Sequence, residues 1–269
     1  MPELPEVEIT RRGIASLEGK LVTGVVVRNP RLRWPVPRNL PSALTGSIVR
    51  RILRRAKYLL FDADKGWLIV HLGMSGSLRI VHKNEPAGVH DHVDVVFGEK
   101  SLRLRDPRRF GSVLWTTSNI DHHVLLAHLG IEPLSMGFSG ETLYQASRGR
   151  GASVKQLLMD HKVVVGVGNI YANESLFRAR IHPRTAAGRI TRPRYERLAE
   201  EVKRTMEEAI EAGGSSLRDF VHSDGTRGYF QQQYFVYGRQ GLACRECGRL
   251  VKMVRLGQRS TFYCPNCQR

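Results

Sequence analysis

Cysteine is scarce in this sequence and confined to its end. Only four of the 269 residues are cysteines, and none precedes Cys244. A disulfide framework along the whole chain is therefore excluded. No apolar run approaches the roughly 18 residues of a membrane span, and acids occupy the start where an export signal would carry basic residues and then an apolar stretch. We therefore expect a soluble, cytosolic protein, and a hydrophobic content of 41% is enough for a buried core.

Acidic residues are also in deficit. The 25 aspartates and glutamates stand against 42 lysines and arginines, so the formal net charge is +17. A folded protein with this charge usually has a polyanionic partner, and we expect nucleic acid first and an anionic membrane surface second. The basic residues are dispersed, which favours a binding surface assembled by folding; a basic surface that is merely solvated is the alternative. Four of the basic pairs are Arg11-Arg12, Arg50-Arg51, Arg54-Arg55 and Arg108-Arg109.

The chain has a β-rich first part and a helical second part. A helix is predicted over residues 5–17, because proline suits the first helical position and the acids Glu6 and Glu8 favour the positive end of the helix dipole. Eight β-rich runs separated by turn residues follow, as in a sandwich or barrel: 21–28, 47–53, 58–63, 67–72, 77–81, 92–97, 101–105 and 112–116. Helices are then predicted over 124–129, 140–148, 154–160, 170–180, 192–212 and 216–221.

These patterns predict an α+β fold with two domains. Residues 1–129 are expected to form an N-terminal β-sandwich or barrel domain, and residues 130–133 a linker. Residues 134–233 are expected to be helical, and residues 234–269, here called the finger segment, to form a metal-held β-hairpin.

The four cysteines form two Cys-x-x-Cys pairs. Cys244 and Cys247 precede Cys264 and Cys267, with sixteen residues between the pairs. This spacing is typical of a four-thiolate zinc site. A disulfide pair is the alternative, but the cytosol is reducing. Because protein ligands fill all four positions, no place remains for a metal-bound water, and we predict one structural Zn²⁺.

Two segments of the second part suit an anion. The stretch around Gly166 and Gly168 lacks the third glycine and the βαβ context of a dinucleotide-binding motif. It predicts a glycine turn feeding a helix capped by Asn169, whose backbone N–H groups suit a phosphate; an ordinary capped helix is the alternative. Between the cysteine pairs, a polar hairpin tip presents Arg259, whose guanidinium binds phosphate through two donors; a solvated tip is the alternative.

Three residues of the first part have two interpretations each. Phe110, which follows two arginines between strands, is either a core residue or an exposed ring that enters a base stack. Met74, flanked by glycines, is either gap-filling core or a flexible apolar probe. Lys57, which opens an apolar strand, is either a surface end-cap or a partner for a phosphate or carboxylate in a cleft.

The start of the chain carries a proline beside carboxylates. If Met1 is removed, Pro2 becomes a free secondary amine, and an α-amino group titrates near pH ~8, so part of it is nucleophilic at neutral pH. Such an amine can attack a sugar carbon and form an iminium that keeps its charge. Glu3 is then the natural acid/base, and Glu6, in the first turn of the helix, can order the site. An ordinary N-terminus is the alternative.

In order along the chain, these motifs resemble bacterial formamidopyrimidine-DNA glycosylase. They are Pro2-Glu3-Leu-Pro-Glu6, Lys57, His71-Leu-Gly-Met74-Ser-Gly, Asp106-Pro-Arg108-Arg109-Phe110, Gly-Val-Gly-Asn169-Ile-Tyr and the four cysteines. The match covers nearly the whole chain. It implies that the N-terminal domain is a β-sandwich with flanking helices, that a helix-two-turn-helix domain with a zinc finger follows, and that the protein is monomeric, bacterial and nucleoid-associated. It further implies that the protein excises oxidised purines, chiefly 8-oxoguanine and formamidopyrimidines, from double-stranded DNA and then cleaves the strand by β,δ-elimination.

The resemblance also implies roles for individual residues. Pro2 would be the Schiff-base nucleophile at C1′ of the damaged nucleotide, with Glu3 as general acid/base and Glu6 supporting both. Four residues would clamp the surrounding phosphates: Lys57, His71, Asn169 and Arg259, of which Lys57 and Arg259 also belong to the catalytic group. Three would fill the gap left by the extruded base: Met74, Arg108, which faces the orphaned cytosine, and Phe110. His90, Arg109 and Lys155 would make further DNA contacts, and residues 215–230 would cover the flipped base.

Two other functions compete with this one. An endonuclease VIII-like glycosylase for oxidised pyrimidines shares the N-terminal nucleophile and the zinc finger. A non-catalytic zinc-ribbon protein that only binds DNA would leave Pro2 and Glu3 without a role.

Overall fold

The computed structural model of the protein describes residues 2–214 and 234–269. These residues fall into two compact units. The first contains residues 2–127 and 212–214, and the second contains residues 128–211 and 234–269. Within the described residues, no helix has the length and apolar character needed to cross a bilayer.

Two four-stranded antiparallel sheets form the frame of the first unit. One has the order β1-β6-β7-β5 and the other β2-β3-β4-β8. The strands are β1 (Gly24–Val27), β2 (Val49–Arg55), β3 (Tyr58–Ala63), β4 (Gly66–His71), β5 (Ser77–His82), β6 (Asp91–Phe97), β7 (Lys100–Arg105) and β8 (Ser112–Thr116). Apolar side chains from both sheets share one buried cluster, so the predicted sandwich is confirmed.

Helices flank the sandwich. Helix α1 (Leu4–Gly13) packs against β2 and β3 and buries Leu4 and Val7, so β3 is covered on both faces and is apolar almost throughout. Helix α2 (Leu40–Leu44) packs against β1. A 3₁₀ turn over Ala15–Leu17 continues the first helical stretch beyond Gly13.

The second unit is helical and ends in a two-stranded hairpin. Its helices are α3 (Gly140–Ser147), α4 (Val154–Leu158), α5 (Asn169–Arg178) and α6 (Arg192–Glu211), and its strands are β9 (Lys252–Leu256) and β10 (Arg259–Tyr263). Helix α6 packs against α3 and α5, and α5 contacts β10. The apolar stripe of α6, which includes Tyr195, Leu198, Val202 and Met206, is buried.

Three expectations for secondary structure need comment. The helix predicted over residues 124–129 is wrong, because this segment forms turns closed by hydrogen bonds to the His123 carbonyl. The N–H groups of Leu125, Leu126 and Ala127 all bond to His123, so the turn closes on one residue and does not propagate into a helix. The short helix α2 was not predicted. The helix expected over residues 216–221 and the loop over 215–230 lie outside the described residues.

Candidate functional site

The N-terminal acids are held at the first turn of α1. Glu3 and Glu6 are both buried, and the Glu3 N–H donates to Glu6 Oε2 at 2.8 Å. The Glu3 side chain accepts from the Glu6 backbone in return, which closes a capping box. Pro2, also buried, directly precedes this box. The structure therefore brings Pro2, Glu3 and Glu6 together at the positive end of a helix.

Lys57, Arg33 and His71 lie near one another on the first unit. Tyr58 and His71 are register partners on β3 and β4, with ring centroids 4.9 Å apart. Burial, followed by the charges of Lys57 and Arg33, lowers the pKa of His71 to about 4. The neutral ring accepts a hydrogen bond from the Gly73 N–H at Nδ1, at 3.0 Å. The proton of the ring must then lie on Nε2, which makes His71 an uncharged donor beside two cations.

Arg33 is a member of this group that the sequence analysis missed. Its backbone N–H donates to the Gly111 carbonyl at 3.0 Å, and its guanidinium lies 4.9 Å from the ring centroid of Trp34. The side chain is exposed. The signal available in the sequence was a basic residue next to an aromatic one, in the stretch Arg-Leu-Arg-Trp.

Two loops carry the residues expected to enter the base stack. We call residues 72–76 the Met74 loop and residues 106–111 the Phe110 loop. Phe110 is 45% exposed, which contradicts the core interpretation, and the Arg108 guanidinium lies 4.9 Å from its ring centroid. Met74 is partly exposed, and Arg109 is exposed with a positive φ of 57°. His90 is joined to this region, since its carbonyl accepts from the Asp106 N–H at 2.9 Å.

On the second unit, Asn169 has a different role from the predicted one. Gly168 occupies the N-cap of α5 and Asn169 is the first helical residue, so the expectation that Asn169 caps the helix is wrong. Its side chain instead bridges, because Oδ1 accepts from Lys155 Nζ at 2.6 Å and Nδ2 donates to the Ser260 carbonyl at 3.0 Å. An N-cap residue needs extended backbone, which Gly168 supplies, and this leaves the Asn169 amide directed at the hairpin.

Lys155 is 1% exposed. Besides Asn169, its ammonium donates to the Ser260 carbonyl at 3.1 Å and to Thr261 Oγ1 at 2.7 Å. Three acceptors suit the three donors of an ammonium group. The geometry thus makes Lys155 a link between α4, α5 and β10, while its predicted contact with DNA stays a prediction. Arg259, at the start of β10, is exposed.

Glu174 is a second residue that the sequence analysis missed. It is buried in α5, and its carboxylate accepts backbone N–H bonds from Phe235, Val236 and Tyr237 at 2.8, 3.0 and 2.8 Å. Burial raises the pKa of this carboxyl group, and the three N–H donors oppose the shift. Glu174 therefore fastens the start of the finger segment to α5. An acid within a largely apolar helical stretch was the available signal.

The four cysteines fit a zinc ion. Their Sγ atoms all lie within 4.8 Å of one another, with Cys244 and Cys267 at 4.0 Å and Cys247 and Cys264 at 3.4 Å. Four Zn–S bonds of about 2.3 Å in a tetrahedron place sulfurs about 3.8 Å apart, so the spacing suits the ion. Burial and the neighbouring thiols raise the pKa of Cys264 and Cys267, and a divalent cation would favour the thiolate forms. All four ligand positions belong to protein, so the site is structural.

The predicted site residues thus lie in separate groups. The first unit carries three of them: Pro2 with Glu3 and Glu6, Lys57 with His71 and Arg33, and the Met74 and Phe110 loops. The second carries the Lys155 and Asn169 group with the hairpin, and the cysteine cluster.

The chain is similar to known proteins along its whole length. Three family models match in succession: the formamidopyrimidine-DNA glycosylase N-terminal domain over residues 1–113, the formamidopyrimidine-DNA glycosylase H2TH domain over 129–221, and the zinc finger found in FPG and IleRS over 241–269. The formamidopyrimidine-DNA glycosylase of Aromatoleum aromaticum is 62% identical over 270 residues, which span both chains completely.

Two solved structures of Lactococcus lactis Fpg are similar along the whole chain. One is a complex with DNA that contains an abasic site, with 32% identity, a TM-score of 0.92 and 99% of each chain covered. The other is a complex with DNA that contains FAPY-dG, with 31% identity, a TM-score of 0.91, and 99% of this chain and 100% of that chain covered.

Proposed function

The chain belongs to the formamidopyrimidine-DNA glycosylase family of DNA-repair enzymes, and we propose that it is bifunctional, excising oxidised purines through Pro2 and then cleaving the DNA strand. The observation that carries this proposal is the capping box that holds Glu3 and Glu6 buried directly behind Pro2. A proline amine next to two buried carboxylates has the parts of a nucleophile and an acid/base pair.

In the proposed first step, the lone pair of the Pro2 nitrogen forms a bond to C1′, and the bond from C1′ to the base breaks. The nitrogen gives its proton to Glu3, and the departing base takes a proton from water. Glu3 then donates a proton to O4′ while the C1′–O4′ bond opens, which gives an iminium. Because a secondary amine has no second proton to lose, the iminium keeps its positive charge and acts as an electron sink.

The sink accounts for strand cleavage. The iminium acidifies the C2′ proton, and its removal expels the 3′ phosphate. The conjugated iminium then acidifies the C4′ proton, and its removal expels the 5′ phosphate. Hydrolysis releases Pro2. Glu3 accepts and returns these protons in this scheme, and Glu6 holds the Glu3 backbone while it does so.

We propose that the remaining groups hold the DNA. Lys57, Arg259 and the uncharged His71 donor suit phosphate oxygens, as does the Asn169 amide. Phe110, which is exposed, and Met74, which is partly exposed, are apolar side chains that can occupy the space left by an extruded base, a process that costs a few kcal/mol of stacking. A protein with a net charge of +17 suits such a polyanionic partner.

Borohydride trapping tests the role of Pro2. Reduction during turnover of a duplex that holds 8-oxoguanine opposite cytosine should link protein and DNA, and peptide mapping should place the link on Pro2. A chain with an added N-terminal residue, which converts the amine to an amide, should not crosslink. Pro5→Ala is the matched control, because it removes a proline of the same stretch and leaves the amine intact. A crosslink on another residue, or one that survives the added residue, overturns the proposal.

The substrate and the products require a separate measurement. Turnover on duplexes with 8-oxoguanine or formamidopyrimidine should exceed turnover on thymine glycol, and the strand ends should both carry phosphate. Faster release of thymine glycol would favour the oxidised-pyrimidine enzyme. An unsaturated aldehyde on the 3′ end would show that elimination stops after the first step.

A further inference from the structure

Asp106 lies at the junction of the two loops that carry the apolar probes. It follows the last residue of β7 and is fully buried. One carboxylate oxygen, Oδ1, accepts from Ser75 Oγ in the Met74 loop at 2.7 Å. The other, Oδ2, accepts from the Gly111 N–H in the Phe110 loop at 2.8 Å. One side chain therefore ties the two loops together.

The backbone of Asp106 extends this network. Its N–H donates to the His90 carbonyl at 2.9 Å, and its carbonyl accepts from the Arg109 N–H at 3.2 Å. The same carbonyl lies 2.8 Å from Nε2 of His92, which is buried; a carbonyl only accepts, so Nε2 donates this hydrogen bond. Three residues expected to contact DNA are thus bonded, directly or through a neighbour, to the backbone or side chain of Asp106: His90, Arg109 and, through Gly111, Phe110.

Ser75 relays the contact to a further loop residue. While its hydroxyl donates to Asp106, its oxygen accepts from the Arg108 N–H at 3.2 Å. Arg108 in turn lies over the Phe110 ring. The Asp106 carboxylate and the Ser75 hydroxyl together set the backbone on both sides of the Arg108–Phe110 pair.

The two loops also touch through glycine. Gly73 has φ of 65°, and a Cβ atom there would lie 2.4 Å from the Phe110 carbonyl carbon and 2.4 Å from the Gly111 nitrogen. A Cβ at Gly111 would lie 2.8 Å from the His71 carbonyl oxygen and 3.0 Å from Asp106 Oδ2. The loops can approach this closely only because both positions lack a side chain. They form one packed body with Asp106 inside it.

From this arrangement we propose that Asp106 is a positioning residue that holds Met74, Arg108 and Phe110 in the geometry required to enter the base stack. The inference rests on the proposed function. Asp106 is buried and acts through the loops, whereas Phe110 is 45% exposed, with the Arg108 guanidinium 4.9 Å from its ring centroid. A side chain that must separate stacked nucleobases needs a rigid support, since a displacement of about 1 Å can cost about 100-fold in rate.

The test compares two DNA substrates under single-turnover conditions. One is a duplex with 8-oxoguanine opposite cytosine, where the damaged base must be extruded and its space filled by side chains. The other carries the same lesion opposite an abasic site, where extrusion is easier. Asp106→Ala should lower the excision rate on the first by about 10-fold or more and on the second by at most about 3-fold. Phe110→Ala should give the same pattern. The double variant should lose no more than the worse single variant, because the two residues act through one step.

Two milder variants keep the test valid if Asp106→Ala does not fold. Ser75→Ala removes one of the two loop contacts and should show the same substrate pattern at smaller size. Asp106→Asn retains one acceptor oxygen and should recover part of the lost rate. Equal losses on both substrates, or additive losses in the double variant, overturn the inference. If the natural chain fails to crosslink at Pro2, the proposed function itself fails, which distinguishes the two results.

Discussion

At the scale of single residues, the most informative group is His71. Its pKa lies at about 4, chiefly because the ring is buried and also because Lys57 and Arg33 are near. The ring is therefore neutral at physiological pH and donates through Nε2, since Nδ1 is occupied by the Gly73 N–H. A neutral donor can bind a phosphate oxygen without adding to the local crowding of positive charge.

This shift makes stability depend on pH in a defined direction. The folded pKa lies below the ordinary value of 6.5, so between pH 6.5 and 4 the unfolded chain binds a proton that the folded chain does not. The contribution of the neutral ring to the free energy of unfolding is complete above pH 6.5 and is lost as the pH falls toward 4. Relative to His71→Gln, the natural chain should lose at most about 3 kcal/mol of unfolding free energy between pH 7 and pH 4.

Urea unfolding followed by tryptophan fluorescence measures this effect. The three tryptophans, Trp34, Trp67 and Trp115, all lie in the first unit with His71. Parallel stability curves for the two chains across this pH range would show that the folded ring titrates normally.

At the scale of elements, the hairpin of β9 and β10 depends on its neighbours. Two strands of five residues are not stable alone in water. Lys155 and Asn169 bond to the Ser260 carbonyl, Glu174 anchors the segment that leads to the hairpin, and the zinc site closes its base. These contacts fix the position of the hairpin and therefore of the exposed Arg259.

Loss of one zinc ligand should therefore remove DNA binding and leave the sandwich intact. Cys244→Ser should abolish stoichiometric zinc, because structural zinc binding contributes about 10 kcal/mol or more and one thiolate is lost. It should also abolish lesion-specific binding and base excision. Tryptophan-detected unfolding should stay unchanged, since all tryptophans lie in the first unit.

Asn266→Ser is the matched control, because it changes the same cysteine segment without removing a thiolate. It should keep zinc and activity. Full activity of zinc-free Cys244→Ser protein would contradict the role given to the finger segment.

At the scale of the whole molecule, the net charge of +17 governs binding strength. Each phosphate neutralised by a cation releases counterions, so the affinity for DNA falls with salt at a slope of about −0.9 per contact on logarithmic axes. Lys57, Arg109 and Arg259 are the charged contacts proposed here, which predicts a slope of about −3 or steeper.

Variants separate the charged contacts from the neutral ones. Arg259→Ala should reduce the slope by about 1, whereas His71→Gln should weaken binding and leave the slope unchanged, because the imidazole carries no charge. The affinity can be measured by fluorescence anisotropy on DNA that contains an uncleavable abasic analogue, at salt concentrations between about 50 and about 300 mM. A smaller slope for His71→Gln would show that the bound ring is protonated.

The sequence predicted the features that depend on local pattern. β-Rich runs bounded by turn residues placed the strands of the sandwich, and the cysteine spacing identified the zinc site, because strand propensity, turn residues and ligand spacing are properties of neighbouring residues. The family was recognised from motifs whose order along the chain is itself sequence information. Domain limits and the roles of the site residues stay predictions.

Folding decided which partners these residues meet. Gly168 took the cap that was assigned to Asn169, and Lys155 turned out to be buried against Thr261, more than a hundred positions away. The sequence analysis assigned no role to Asp106 or Glu174, yet one joins two loops and the other holds a backbone segment. A side chain's role depends on the donors that distant segments bring within about 3 Å. The order of residues along the chain does not specify the distance between such donors and acceptors. Because these groups are buried, losing one of the contacts costs folding free energy.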